Sequence, residues 1–343
     1  MSNCTICPRD CRADRENGRR GFCGVTGKTI KCARAALHMW EEPCISGDAG
    51  SGAVFFSGCP LRCVYCQNRD IAGAERGIDI TEERLAEIFL ELAGKGAANI
   101  NLVTPTHYTP QIIRSVQRAR ENGLKLPIVY NCSGYEKVST LKMLDGIVDI
   151  YLTDFKYMDR EAAAIYSHAP DYPEVAKAAL QEMVRQIGEP VFDEAGMMKK
   201  GVIVRHLLLP NHLKNAKGVV QYVYEAYGDT VYLSLMNQYT PLPGLEQWPE
   251  INRRVTKREY GRLLDYTLSL GVENAFIQEG ETAKESFIPA FDCEGVRPDS
   301  PENLQTNVRK VKTLVELFFK ICYSTKHVYR TQVLTRRYFM NAK

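Results

Sequence analysis

The chain has 343 residues, of which 45% are hydrophobic and 25% are charged. These values are typical of a globular protein with a sizeable buried core. No apolar run reaches the roughly 18 residues that a membrane-spanning helix needs, and the polar N-terminus lacks the hydrophobic stretch of a signal peptide. These features exclude an integral membrane protein, and we predict a cytoplasmic location.

The net charge of +3 is unevenly distributed. Residues 297–343 contain ten Lys and Arg but three Asp and Glu, a charge of +7, which leaves −4 for residues 1–296. A mildly acidic body argues against a general nucleic-acid surface. The basic tail could contact RNA or an acidic partner. Because it has no aromatic-interleaved nucleic-acid motif, we expect instead a solvated appendage or a packing helix.

From residue 51 onwards, short apolar runs alternate with longer amphipathic stretches, whereas residues 1–50 show little periodicity. The runs are continuous rather than alternating in polarity, which is typical of parallel strands buried on both faces. The predicted strands are Ala53–Gly58, Ile100–Thr104, Pro127–Asn131, Val148–Asp154, Gly201–Leu209, Thr230–Asn237 and Ala275–Gln278.

The stretches between these runs predict helices. The one after Thr81 has an N-cap hydroxyl, acidic residues in its first turn and glycine at its end, and segments 109–123 and 256–271 are similar. Strands that alternate with helices predict an α/β fold. The first strand is not followed by a Gly-x-Gly-x-x-Gly turn, which favours a partial (β/α) TIM-like barrel over a dinucleotide-binding sheet.

Three parts follow from these patterns. Residues 1–50 form a cysteine-rich N-terminal segment, residues 51–296 form the barrel, and residues 297–343 form a basic C-terminal tail. The stretch RPDSPEN is predicted to link the barrel to the tail. One helix is predicted in the tail, from Leu304 to Cys322.

Nine of the twelve cysteines fall between residues 4 and 66. Because a reducing compartment does not sustain structural disulfides, this clustering favours metal ligation. The first four, with spacings of two, three and eleven residues, lie among glycines that permit tight turns: Cys4, Cys7, Cys11 and Cys23. We predict that they hold a zinc ion or a second iron–sulfur cluster independently of the barrel, with free thiols as the alternative.

The next group, Cys59, Cys63 and Cys66, follows the first predicted strand with the spacing C-x3-C-x2-C. Three thiolates on one loop can hold three irons of a cubane cluster and leave the fourth iron for an outside ligand. The alternative is a zinc site completed by another residue, such as Cys44 or His38.

With Tyr65 just before its last cysteine, this motif resembles the signature of the radical S-adenosylmethionine enzymes. The wider sequence resembles a narrower group, the relatives of the pyruvate formate-lyase-activating enzyme. The stretches that carry this resemblance are HMWEEPCISG, FFSGCPLRCVYCQN, NINLVTPTHY, VDIYLTDFKYMD and VRHLLLP. The tail after Val296 is outside it.

The resemblance implies a radical-enzyme type of barrel in which Cys59, Cys63 and Cys66 ligate a [4Fe-4S] cluster. The amine and carboxylate of S-adenosylmethionine would chelate the fourth iron. Reduction by a protein electron donor, of flavodoxin or ferredoxin type, would cleave this cofactor to a 5′-deoxyadenosyl radical. The radical would abstract hydrogen from a target, for which a glycyl-radical enzyme is the candidate.

Further candidates for contact with S-adenosylmethionine are polar residues at the C-terminal ends of the predicted strands, where barrels assemble their chemistry. Tyr65 is expected to pack on the adenine. The others are Thr104, Thr106, His107, Asn131, Ser133, Asp154, Lys156 and Arg205. Residues 104–107 stand where such enzymes commonly carry a Gly-Gly-Glu-like turn, so this stretch offers no carboxylate to the methionyl amine.

Structural roles are the alternatives for several of these residues. Asn131 and Ser133 are typical of a turn. Asp154 and Lys156 could form a structural salt bridge, and a buried Arg205 could pair internally with Asp154. His206, next to Arg205, is expected to be satisfied within the packing.

Three functions therefore stay open at this point. The first is a radical enzyme similar to the glycyl-radical activases, and the second is a radical enzyme that acts on a small molecule or an RNA base. The third is a zinc-binding interaction protein without redox chemistry. Iron and labile sulfide content separates the third from the other two.

Overall fold

The structure, a computed structural model, describes residues 3–278, 289–298 and 332–333. The strands are β1 (Ile30–His38), β2 (Ser51–Phe56), β3 (Ile78–Ile80), β4 (Ile100–Val103), β5 (Ile128–Cys132), β6 (Ile150–Asp154), β7 (Val191–Phe192), β8 (Met198–Leu207), β9 (Tyr232–Met236), β10 (Ala275–Ile277) and β11 (Gln332–Val333). The helix predicted from Leu304 to Cys322 lies outside the described residues.

The helices are α1 (Pro43–Ser46), α2 (Arg69–Ala72), α3 (Glu82–Gly94), α4 (Thr109–Glu121), α5 (Val138–Leu141), α6 (Arg160–Ser167), α7 (Tyr172–Ile187), α8 (Leu213–Tyr227) and α9 (Lys257–Ser269). Short 3₁₀ turns lie at Thr106–Tyr108, Lys142–Leu144 and Gly228–Thr230. No helix among the described residues is long and apolar enough to cross a lipid bilayer.

The centre of the fold is a run of parallel strands in the order β2, β4, β5, β6, β8, β9, β10. Helices occupy the crossovers between them, as parallel strands require. Each strand predicted from an apolar run corresponds to one of these strands. The partial α/β barrel predicted from the sequence is therefore confirmed.

Both faces of this sheet are buried, which explains the continuous apolar runs. Side chains on the outer face, such as Tyr130, Tyr151 and Val202, belong to the large core that the helices cover. Side chains on the inner face form a second cluster with residues of α1; it contains Cys44, Ile45, Val129, Ile150, Leu152, Met198, Ile203 and Phe276. Because β10 and β5 contribute to the same inner cluster, the sheet must curve around it.

Two of the predicted helices begin as their caps indicate. The Thr81 hydroxyl accepts a hydrogen bond from the backbone N–H of Arg84 at 3.2 Å, so α3 starts at the residue after Thr81. Thr256 and Glu259 form a reciprocal capping box at the start of α9.

The segment before the barrel contributes a strand that the sequence pattern did not indicate. Strand β1 pairs antiparallel with β2, with Ala36 opposite Ala53 and His38 opposite Ser51. On its other side, residues 289–298 approach it through hydrogen bonds from Cys293 N to Ala33 O at 2.9 Å and from Ala35 N to Glu294 O at 2.8 Å. Residues 30–38 therefore share one sheet with the barrel, across the boundary predicted at residue 50.

Candidate active site

The three-cysteine loop lies at the C-terminal edge of the parallel sheet, immediately after β2. Gly58 opens the loop with a φ of 91°, and a Cβ there would meet the carbonyl oxygen of Cys23 at 2.6 Å. This position therefore requires glycine. The Gly58 N–H donates to Ile71 O at 2.7 Å, so helix α2 anchors the loop on its far side.

The sulfur atoms of this loop lie among hydrogen-bond donors. The Leu61 N–H approaches Cys59 Sγ at 3.4 Å, and the Ser167 hydroxyl donates to Cys63 Sγ at 2.9 Å. Burial raises the pKa of the Cys59 and Cys63 thiols and raises that of Cys66 to about 12. Without a metal the thiols are therefore neutral, and metal binding would release their protons.

This donor set fits a [4Fe-4S] cluster: three thiol groups on one loop, polar hydrogens directed at two of the sulfurs, and a nearby cation that favours the thiolate form. That cation is the Lys156 ammonium, which opposes the effect of burial on all three cysteines. Among the described residues, no three His, Cys, Asp or Glu side chains are grouped for a single metal ion. A cubane does not require such a group, because each cysteine binds a different iron.

Tyr65 lies inside a group of aromatic side chains beside the loop. Its ring makes edge contacts with Tyr166 and Tyr239, with centroids 6.4 and 6.0 Å away. Its hydroxyl is 2.6 Å from that of Tyr157, which in turn is 2.7 Å from the Ser167 hydroxyl. Hydroxyl groups thus connect the Tyr65 side chain to the Cys63 sulfur, while its contact with adenine stays a prediction.

An ion-pair network fills the inner face of the barrel near the ends of β5, β6 and β8. Arg205 donates to Asp154 Oδ1 at 3.0 Å, to Glu41 Oε2 at 3.2 Å and to Asn131 Oδ1 at 2.6 Å. Glu41 Oε1 also accepts from Asn131 at 3.1 Å and from Asn101 at 2.9 Å. The alternative of an internal pair between Arg205 and Asp154 is what the structure shows.

Lys156 connects this network to the cysteine loop. Its ammonium donates to Asp154 Oδ2 at 2.6 Å, so the salt bridge foreseen as an alternative is formed. Burial alone would raise the pKa of Asp154, but Lys156 and Arg205 outweigh it and hold that pKa below its usual value. The same ammonium is close enough to Cys63 and Cys66 to interact with them electrostatically, and each of them raises its pKa.

The segment after β4 contacts the residue that leads into the three-cysteine loop. His107 Nε2 is 2.9 Å from Ser57 O, the residue before Gly58, and burial lowers the His107 pKa to about 3. This histidine is therefore neutral and acts as a support for the entry to the loop. Thr104 turns the chain with a left-handed φ of 59°, and its N–H donates to Asn131 O at 2.9 Å.

Thr106 takes part in a buried contact that the sequence did not reveal. Its hydroxyl donates to Glu136 Oε1 at 2.8 Å, and the Tyr130 hydroxyl approaches Glu136 Oε2 at 3.3 Å. Burial raises the pKa of Glu136 to about 8, so at neutral pH this carboxyl group is mostly protonated.

Two other predicted residues have structural contacts. Ser133 lies just before a bend at Gly134, and its carbonyl accepts from the Tyr172 hydroxyl at 2.8 Å. His206 lies on the outer face of β8 with Nδ1 2.7 Å from Phe155 O, as expected for a histidine satisfied in the packing.

The N-terminal cysteines lie near one another on the other side of the loop. Cys4, Cys7 and Cys23 are buried and Cys11 is exposed. A Cβ at Gly21 would meet the sulfurs of Cys11 and Cys23 at 3.3 and 3.4 Å, so these two sulfurs flank that glycine. The buried Arg15 guanidinium is 3.7 Å from Cys4 Sγ and donates to His107 O at 2.8 Å.

Cys44 and His38 lie at the opposite edge of the barrel from the three-cysteine loop. His38 pairs with Ser51, where β2 begins. Cys44 lines a cavity of about 560 Å³ near the N-terminal ends of the strands. The length of β2 separates both residues from Cys59, so neither can complete a single-ion site there.

Several residues of the site were missed from the sequence. Glu41 was visible only as one of two carboxylates in the HMWEEPCISG stretch, and Glu136 and Ser167 had no local signal. Their contacts join residues far apart in the chain, such as Glu41 with Arg205 and Cys63 with Ser167.

Comparison with known proteins agrees with this reading of the loop. Residues 53–200, from β2 to the start of β8, match the family model of the Radical SAM superfamily. The matched residues include Cys59, Cys63 and Cys66. It is 29% identical over 274 residues to the uncharacterized protein MJ0674 of Methanocaldococcus jannaschii, covering 77% of this chain and 74% of that protein.

Two solved structures are more distantly similar. Streptococcus suis SuiB bound to S-adenosylmethionine is 17% identical with a TM-score of 0.45, and the match covers 65% of this chain and 48% of SuiB. The chain thus spans about half the length of SuiB. Methylornithine synthase (PylB) is 16% identical with a TM-score of 0.45, covering 71% of this chain and 70% of that protein.

Proposed function

We propose that this protein is a radical S-adenosylmethionine enzyme whose [4Fe-4S] cluster is held by Cys59, Cys63 and Cys66. The observation that carries the proposal is the position of these cysteines within the stretch that matches the Radical SAM family model, at the C-terminal edge of the sheet beside the Lys156 ammonium. When bound, the cluster would supply the electron that cleaves S-adenosylmethionine, and the resulting 5′-deoxyadenosyl radical would abstract hydrogen from the target.

The barrel interior offers both charges that the methionyl group needs. Residues 104–107 contain no carboxylate, but Glu41 and Asp154 come to the same region from other parts of the chain. We assign the methionyl amine to one of these carboxylates and the methionyl carboxylate to Arg205 or Lys156. The methionyl group could thus bind by exchanging partners within the network, with its amine donating a hydrogen bond to a carboxylate and its carboxylate accepting from a cation.

We further propose that the target is a glycyl-radical enzyme and that a flavodoxin- or ferredoxin-type protein supplies the electron. Support for this narrower assignment is the resemblance in HMWEEPCISG and VDIYLTDFKYMD, which contain Glu41, Asp154 and Lys156. A small-molecule or RNA-base target is the competing outcome. Assays for 5′-deoxyadenosine with each class of candidate target distinguish these outcomes.

The cluster assignment is tested with a Cys63→Ala variant, reconstituted anaerobically with iron and sulfide. Each cysteine supplies one thiolate to one iron, so the variant should lose its barrel iron, and 5′-deoxyadenosine formation should fall to background. Its far-UV circular dichroism should resemble the wild type, because the loop lies at the edge of the sheet. Cys293→Ala, a partly exposed cysteine away from the loop, is the matched control. Cleavage by Cys63→Ala at a rate comparable to the wild type contradicts the proposal.

We also propose that Cys4, Cys7, Cys11 and Cys23 hold a metal, as zinc or as a second iron–sulfur cluster. Because no three such side chains are grouped for a single ion in the described part of the chain, the cluster is favoured over zinc. Support comes from the position of the Arg15 guanidinium, which is buried beside Cys4 with its Nε unpaired. A buried cation that no carboxylate among the described residues pairs with is costly, and thiolates bound to a metal would balance its charge. Metal analysis of the reconstituted wild type tests this, since no metal beyond the barrel cluster would contradict it.

A further inference from the structure

The end of helix α6 packs directly against the three-cysteine loop. The Val64 N–H donates to Tyr166 O at 2.9 Å, and one residue later the Ser167 hydroxyl donates to Cys63 Sγ at 2.9 Å. Helix α6 begins with Asp159 as its N-cap and ends at Ser167. The length of this helix therefore determines where the hydroxyl meets the sulfur.

Arg9, in the N-terminal segment, donates hydrogen bonds to both the three-cysteine loop and the end of α6. Its guanidinium donates to Pro60 O at 2.7 Å on the loop and to Ser167 O at 2.8 Å on the helix, and it also contacts His168 O. The guanidinium lies over the ring of Phe22 at 4.2 Å, which limits its freedom further. Ser167 is thereby held against the loop by its own backbone as well as by its side chain.

The direction of hydrogen bonding around Ser167 follows from counting protons. A metal-bound thiolate can only accept, so the single hydroxyl proton of Ser167 must point to Cys63 Sγ. The Ser167 oxygen is then free to accept from the Tyr157 hydroxyl at 2.7 Å, and Tyr157 accepts from the Tyr65 hydroxyl at 2.6 Å. Successive donors polarise one another, which strengthens the last bond to the sulfur.

We propose that Ser167, oriented by Arg9 and by the Tyr65–Tyr157 hydroxyl pair, is a positioning residue that raises the reduction potential of the cluster at Cys63. This inference rests on the proposed function, since it assumes a cluster at the three cysteines. Reduction adds one negative charge to the cluster and its thiolates. A hydroxyl dipole directed at one sulfur stabilises the reduced state more than the oxidised state, and such hydrogen bonds are among the determinants of cluster potential.

The test is an anaerobic redox titration of the reconstituted full chain, followed by electron paramagnetic resonance of the reduced cluster. Ser167→Ala removes the donor and should shift the midpoint potential to more negative values without changing the iron content. Tyr157→Phe leaves Ser167 in place but removes the preceding donor, so a smaller shift of the same sign is expected. The matched control is Ser115→Ala, a buried serine on α4 whose hydroxyl contacts the backbone carbonyls of Glu82 and Gln111.

A midpoint in Ser167→Ala that equals the wild-type value overturns the inference. If Ser167→Ala does not fold, the midpoint potentials of Tyr157→Phe and Ser115→Ala are compared instead, and equal values overturn the inference. A wild-type protein that takes up no cluster, or whose cluster leaves S-adenosylmethionine intact, refutes the proposed function instead. The two failures are thus distinguishable.

Discussion

Replacing Arg205 with leucine should destabilise the protein because it leaves two carboxylates in the barrel interior without their guanidinium. The side chain of Arg205 is 15% exposed, that of Asp154 17% and that of Glu41 10%. Removing one partner of a buried ion pair typically costs about 3–5 kcal/mol. Asp154 would keep Lys156, and Glu41 would keep two amide donors. We therefore expect a loss at the lower end, about 3 kcal/mol of unfolding free energy.

Arg185→Leu is a matched control for this variant. Arg185 also binds two carboxylates, Glu182 and Asp145, but its side chain is 55% exposed at the surface of α7. Water screens the exposed guanidinium, and Glu182, the buried one of its two partners, keeps the Gln186 amide at 2.8 Å, so the loss of Arg185 should change stability less than the loss of Arg205. The measurement is urea unfolding of the apo protein at pH 7, followed by far-UV circular dichroism. Equal losses in the two variants, or no loss in Arg205→Leu, would refute the view that burial makes the Arg205 network costly to break.

Two further outcomes are expected from buried contacts elsewhere. Burial raises the pKa of Glu136 from 4.5 to about 8 in the folded state, so its contribution to stability is full below about pH 4.5 and is lost as the pH rises to about 8. The unfolding free energy of Glu136→Gln should lack this decline, and a parallel pH profile in both proteins would contradict it. Removing residues 299–343 keeps the carbonyls of Val296 and Arg297, which accept from Arg84 at 3.0 and 3.2 Å. Formation of 5′-deoxyadenosine should then stay within a few-fold of the full chain, whereas loss of the folded barrel would show that the tail belongs to the core.

The sequence predicted the features that depend on local pattern, namely the central strands and the cysteine loop. Each central parallel strand appeared as an apolar run, because burial on both faces leaves no polar alternation. The cysteines of the loop could be recognised because all three ligands lie close together in the sequence. Strand β1, IKCARAALH, has no clear period, and its pairing with β2 determines its conformation, so tertiary context outweighs its local pattern.

The same reasoning explains which parts of the site were not predictable. Arg205 could be recognised as a charge inside an apolar strand, but its partners could not be selected from the many carboxylates in the chain. Glu41 reaches it because the segment between β1 and β2 enters the barrel with α1. Likewise, α6 ends beside Cys63 because of the length of this helix and its packing, and no sequence motif indicates either.

A side chain of the N-terminal segment contacts the three-cysteine loop, so we propose that the two cysteine groups, predicted from the sequence to act independently, are linked. Arg9 lies between Cys7 and Cys11 in the chain and binds the carbonyl of Pro60 on the three-cysteine loop. A change that disorders the turn around Cys7 should therefore also weaken the contact between Arg9 and that loop. Cys7→Ser/Cys11→Ser should lose the N-terminal metal and, in addition, release iron from the barrel cluster faster than the wild type.

Arg9→Gln separates the two contributions, because it leaves all four N-terminal cysteines in place. If the link runs through the guanidinium, this variant should keep the N-terminal metal and yet release barrel iron as fast as the double cysteine variant. The measurement is the rate at which a chelator removes iron from the anaerobic reconstituted proteins, with zinc and iron determined before the reaction. If the chelator removes barrel iron from both variants as slowly as from the wild type, the N-terminal segment covers the loop without stabilising its cluster. Faster release in the cysteine variant alone would assign the support to backbone contacts of the segment, such as the close approach of Cys23 O to Gly58.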